Sequence, residues 1–209
     1  MPTAEEAPDT EPDPVEKRIT VEGTEEFITD LGHEFVNPSR EDRTAFEEAG
    51  FVGAISDTRF VPEEPGAPHT REAPHISSFV AQFESDEGAQ TGLDLVHADS
   101  LRRCPETCAT QISEFDVGDI PDAHGVRRYA TAEDIAEIGE EGEPYDSYEV
   151  QFADGPFAYR VSLFGPPGEV SQDEAEEIAR KLYERVKGAP APGAGSVSST
   201  TTKHPSTGS

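Results

Sequence analysis

The chain has 209 residues, with 44 Asp and Glu against 16 Lys and Arg, a formal net charge of −28. That surplus argues against non-specific nucleic-acid binding, which needs cations clustered against phosphates, and equally against docking on an anionic membrane surface. Hydrophobic residues make up 33% and no apolar run approaches the ~20 residues of a membrane helix, so the sequence reads as one domain plus tails, with cations or basic proteins as suitable partners.

Residues 1–18 carry Glu5, Glu6, Asp9, Glu11, Asp13 and Glu16 among prolines, with Val15 as the single large apolar residue after Met1. Such a stretch cannot offset its chain entropy by burial and is expected to be disordered. It shows neither the basic nor the apolar region of a signal peptide. Taken literally the chain is cytoplasmic; the alternative is an exported protein whose leader is missing. From Ile19 to Phe35 the apolar residues are scattered without a period.

Ser39 is placed to cap a short helix through Ala49, closed by Gly50, with Ala45, Phe46 and Ala49 inward. Phe51–Val61 reads as a strand, Pro62–Pro74 as a Pro-rich loop, and Ile76–Phe83 as a second strand with Phe79, Ala81 and Phe83 on one side. Ser85 is a candidate N-cap for a helix reaching about Arg103, its buried face Ala89, Gly92, Leu93 and Val96. Gln111–Val117 and Val126–Ala130 are further strands around the turn-rich Gly118–Gly125. Thr131–Glu143 fits a short helix or an ordered loop equally well.

The most legible stretch is Tyr145–Gly188. Tyr148, Val150 and Phe152 alternate with Glu149 and Gln151, the period of a strand with one face buried and one wet. Asp154-Gly155 is a type I′ turn signal, and that turn pairs Phe152 with Phe157, Val150 with Tyr159 and Tyr148 with Val161. All six then share one face. Ser171 and Glu174 form a capping box, with Val170 and Ala175 as a staple. Ala175, Ile178, Ala179, Leu182 and Val186 make one apolar stripe, and Gly188 ends the helix. Residues 189–209 are Pro-, Gly-, Ser- and Thr-rich, the chemistry of a flexible tail. Strands joined by hairpins with helices between them predict an α+β fold over residues 19–188: a single antiparallel sheet backed by helices.

Cys104 and Cys108 are the two cysteines, three residues apart across a turn containing Pro105. A disulfide is expected, with two free thiols as the alternative; bridges of this kind belong to oxidising compartments. Zinc would need two further ligands, and His97 and His124 belong to no recognised spacing. His69 and His75, with Arg71 between them, read as histidines of a surface loop. The pairs Arg102-Arg103 and Arg127-Arg128 are read as balancing neighbouring carboxylates. The acidic run Glu133–Glu143 lacks the calcium-loop pattern and reads as a solvated face. The chain has no Gly-x-Ser-x-Gly, phosphate-binding loop or His-Glu-x-x-His, and Pro38 excludes Asn37 as a glycosylation site.

The segments Glu47-Glu-Ala-Gly-Phe51, Ile76-Ser-Ser-Phe-Val-Ala-Gln-Phe83 and Ser85-Asp-Glu-Gly-Ala89, together with the last hairpin and helix, resemble the extracytoplasmic domains of actinobacterial cell-envelope lipoproteins. These are similar to PsbP-like and LpqN-type folds and, more distantly, to the sensor domains of PknH-type kinases. The resemblance implies an antiparallel sheet backed by helices and a role in binding or sensing. No leader or lipid-bearing cysteine precedes the domain, and no site residue carries over.

Three functions follow as expectations. The first is a non-catalytic, monomeric domain, extracytoplasmic (secreted or cell-envelope), that binds a protein or small ligand, without cofactor or metal. The second is a cytoplasmic acidic interaction module. The third is a metal-dependent enzyme with a scattered site. For the first, the expected surface is Pro62–Pro74 with Gly118–Glu143, since binding loops sit on rigid scaffolds.

Overall fold

The computed structural model describes residues 11–12, 19–22, 40–60, 74–102, 110–138 and 143–188. Its centre is the hairpin of β7 (Tyr145–Asp154) and β8 (Phe157–Gly165). Tyr148 stands opposite Leu163, Val150 opposite Val161 and Phe152 opposite Tyr159. That register lies two residues from the expected one. Asp154 pairs with Phe157, so the reversal is made by Gly155 and Pro156, and Gly155 carries a positive φ of 54°. A type I′ turn needs positive φ at both central residues, whereas proline's ring holds φ near about −65°, which suits the second position of a type II′ turn after glycine. A shift of two keeps side-chain parity, so the six large residues still share one core.

Among the described residues eight strands form one antiparallel sheet. The other six are β1 (Glu11–Pro12), β2 (Ile19–Glu22), β3 (Phe51–Phe60), β4 (His75–Phe83), β5 (Gln111–Phe115) and β6 (His124–Ala130). The order is β1-β3-β4-β8-β7-β6-β5, with β2 also paired to β3. The fold is therefore α+β, as expected, with β1 and β2 added on the β3 edge. Among the described residues four helices accompany it: α1 (Arg40–Glu48), α2 (Asp86–Ser100), α3 (Ala132–Ile138) and α4 (Gln172–Val186).

The helix α4 covers one face. Ser171 Oγ accepts from the Glu174 N–H at 3.3 Å, as a capping residue does. The stripe of Ala175, Ile178, Ala179 and Leu182 is buried against Val150, Phe152, Tyr159 and Val161. Each large side chain removed from water there contributes roughly 1.5–3 kcal/mol. Val170 and Ala175, the expected staple, are both in this core.

The opposite face is not wet. The helix α2, capped by Ser85 through the Gly88 N–H, lies across it and hides Ala89, Gly92, Leu93 and Val96 as expected. Near its N-terminus the layer is apolar, with Phe79, Ala81, Phe83 and Ala158 beneath and Phe46 of α1 alongside. Gly88 and Gly92 are required by close approach: a Cβ on Gly88 would sit 2.2 Å from the Ala49 carbonyl oxygen, and on Gly92 2.0 Å from the Phe83 ring. A bulge at Val52 between Phe51 and Gly53 lets Phe51 pair with Phe83 and Ala54 with Ala81, so that both turn toward this layer.

The helix stops at Ser100, short of Arg103, where the Arg102 N–H turns back to the Asp99 carbonyl. Beyond β5, Ile120 is 5% exposed and pins the connection to β6 into the core. Thr131–Glu143 opens with the helix α3, fastened by reciprocal bonds between Thr131 and Asp134.

Candidate functional site

Beneath the C-terminal half of α2 the sheet carries charge. Glu149 and Gln151 of β7, expected to face water, are 6% and 0% exposed, and Arg160 of β8 beside them is 6% exposed. Register explains the cluster, since Gln151 pairs with Arg160 and Glu149 with Ser162. Ser100, the last residue of α2, donates to Glu149 Oε1 at 2.5 Å, and Ser162 Oγ donates to Oε2 at 3.0 Å. Gln151 Nε2 donates to the same carboxylate and, at 2.8 Å, to Ser100 Oγ. Arg160 Nε lies 3.9 Å from Glu149 Oε2, and its guanidinium covers the Phe79 ring at 5.5 Å. Arg128 Nε reaches the Ser100 carbonyl at 3.1 Å.

Burial alone would push the Glu149 carboxyl up. Arg160, then Arg128 and the bonds from Ser100 and Gln151 outweigh it and hold the pKa below the ordinary carboxylate range. An ionised carboxylate with three hydrogen-bond donors and an arginine beside it is a poor general acid or base, because its proton affinity is low and its lone pairs are engaged. None of these side chains lines either groove described below. The layer docks a helix.

At the outer edge of α2 two histidines meet. The rings of His97 and His124 stack with centroids 4.0 Å apart and planes 13° from parallel. His97 Nε2 is 3.2 Å from Glu114 Oε1, and His124 Nε2 is 3.9 Å from Asp94 Oδ1. Histidines and carboxylates meet here at the surface and not at the floor of a pocket: the Asp94 and Glu114 side chains are 65% and 62% exposed. Parallel rings send their in-plane lone pairs side by side and not toward one point, as shared metal coordination requires. Among the described residues, no three His, Cys, Asp or Glu side chains are arranged to hold a metal. A shallow groove of about 360 Å³ adjoins the pair, lined by Glu114, Phe115, Asp116, Val117, Ala123, His124 and Gly125.

A second groove, of about 400 Å³, opens at the far end of the sheet between the start of β7 and the end of β8. Tyr145 and Phe164 stack in it with centroids 5.0 Å apart, and His75 continues the aromatic row 4.9 Å from Phe164. Pro144, Pro166 and Pro167 form its walls and Glu143 its rim. Thr110 Oγ1 and the Tyr145 hydroxyl share a 2.6 Å hydrogen bond that fixes the ring's tip. Gly165 is needed here, because a Cβ would stand 2.9 Å from Val170.

Among the residues singled out by sequence, Arg127 bonds Asp146 through Nε and Nη2 at 2.9 and 2.6 Å and covers Tyr129 at 4.3 Å. Arg102 lies 3.2 Å from Asp99. Local charge balance accounts for Arg102 and Arg127, and the helix-end bond for Arg128. In the acidic run, Asp134 caps α3; its hydrogen bonds with Thr131 hold its pKa down. Cys104, Cys108, Arg103, His69, Arg71, most of the loop Pro62–Pro74 and residues 139–142 lie outside the described residues. Gly118–Glu143 holds β6 and α3 and so is largely regular structure.

No protein-family model matches the chain, and no curated protein matches it. Among solved structures it is similar to the crystal structure of the extracellular domain of PknH from Mycobacterium tuberculosis, at 10% identity and a TM-score of 0.48, covering 87% of this chain and 89% of that one. No helix among the described residues is long and apolar enough to cross a membrane.

Proposed function

We propose that this chain is a non-catalytic extracytoplasmic binding or sensing domain, comprising residues 19–188, whose recognition surface is the Tyr145–Phe164 groove. The observation that carries the reading is the contrast between two polar regions. The buried charges around Glu149 are satisfied by one another, while the aromatic groove presents stacked rings, rigid prolines and a rim carboxylate to the outside. Aromatic faces beside a carboxylate favour a cation, worth about 0.5–2 kcal/mol per ring contact. A protein of net charge −28 draws basic partners toward it. The ligand is accordingly a basic segment of a partner protein, an arginine or lysine set against Tyr145 and the Glu143 carboxylate at the rim. The extracytoplasmic assignment is supported by the Cys104–Cys108 pair, whose bridge would persist in an oxidising compartment.

Backbone NMR of the full chain titrated with a short arginine- and proline-containing peptide tests the groove. Shifts clustered at Tyr145, Phe164 and Gly165, and abolished in Tyr145→Ala, are expected. Shifts spread over the acidic surface and unchanged in that variant would contradict it.

A further inference from the structure

We propose that the His97–His124 stack is an acid-sensitive clasp: while both rings are neutral it holds the C-terminal half of α2 on the sheet, and charging the pair releases that half. The stack joins α2 to β6, Glu114 ties His97 to β5, and Asp94 of α2 lies beside His124. Facing it are Asp94 of α2, Glu114 of β5 and Asp122 before β6; Asp99 and Arg102 pair with each other at the helix end, and Arg128, Glu149 and Arg160 belong to the layer beneath it.

Two features make charge unwelcome there. Rings with centroids 4.0 Å apart cannot both become cations without strong repulsion in a half-buried setting. In addition, His97 Nδ1 is buried and has no hydrogen-bond partner, so a proton placed on it would be a donor without an acceptor.

The carboxylates oppose this only in part. Asp94 and Glu114 are mostly exposed, so solvent screens them. Burial first, and then the His97 charge, hold the His124 pKa below the ordinary imidazole value of 6.5 against Asp94, Glu114 and Asp122. The sign follows: below 6.5 the released or unfolded state binds more protons than the clasped one, so the clasp weakens as pH falls. Ser100, at the end of the same helix, is the donor that closes over Glu149. Release would therefore bring the buried charge layer into contact with solvent, a local event and not global unfolding.

Hydrogen exchange of the full chain, corrected for intrinsic rates, is compared at about pH 7.5 and about pH 5, either side of the ordinary histidine value. In the wild type, protection across Val96–Leu101 should fall roughly threefold or more on acidification, while Ala175–Leu182 of α4 is unchanged. His97→Gln with His124→Phe removes both titrating rings and should abolish the effect. His97→Gln with His124→Gln serves the same purpose should phenylalanine not be accommodated. Equal protection at both pH values, a pH effect retained in both variants, or a matching loss in α4 would overturn the proposal.

Discussion

Glu149 and Arg160 face each other diagonally on neighbouring strands beneath α2, Oε2 and Nε 3.9 Å apart and each 6% exposed. Neither could be buried alone. Removing one member of a buried pair strands the other's charge at a cost of about 3–5 kcal/mol. Arg160→Met should therefore destabilise by about that amount in urea unfolding at neutral pH, and adding Glu149→Gln should recover most of it. The pH dependence has a defined sign. The Glu149 pKa is lowered in the fold, so its contribution is present above the unfolded value of 4.5 and is lost as pH falls through the folded value. The penalty of Arg160→Met should accordingly shrink in acid.

Helix propensity and packing disagree at Gly92, and packing should win. Alanine is favoured over glycine within a helix by about 1 kcal/mol. A Cβ at this site would lie 2.0 Å from the Phe83 ring, which is itself stacked among Phe46 and Phe51 and cannot easily move. Gly92→Ala should destabilise by about 1–3 kcal/mol in urea unfolding.

The tails are expected to be separable from the fold. Deleting residues 1–18 and 189–209 removes the two-residue pairing of β1 and leaves both cores intact. The thermal midpoint should stay nearly unchanged, whereas loss of cooperative unfolding would place the tails in the domain.

Cys104 and Cys108 are expected to be bridged in protein taken from its native host. Mass spectrometry after alkylation without reductant should find no modified thiol. Two alkylated cysteines would move the localisation to the cytoplasm.

The elements legible in the sequence were those that carry their own punctuation. Ser85 and Ser171 announced α2 and α4, and Gly50 ended α1 with a φ of 75°. The Thr131-x-x-Asp134 capping pattern was equally readable and would have favoured the helix α3. The hairpin register was missed because Asp154-Gly155 and Gly155-Pro156 are both plausible turns, and parity cannot separate registers two apart. The buried charge layer was missed for a deeper reason. Alternation of Glu149 and Gln151 with apolar residues looks the same whether the polar face meets water or another polar surface. A signal lay in α2, whose buried side changes from Ala89, Leu93 and Val96 to Asp99 and Ser100 along its length. A helix with such a face needs a polar surface opposite. The meeting of His97 and His124 depends on where α2 crosses β6, which no local pattern encodes.

The proposed binding role takes the charge layer under α2 to be ionised and sealed. The direct measurement is an NMR titration of the Glu149 side-chain carboxyl in the full chain. A midpoint below the unperturbed 4.5 is predicted, with Arg160 holding the group ionised. A midpoint at or above 4.5 would show a carboxyl open to protonation and return Glu149 to the roles of acid or base.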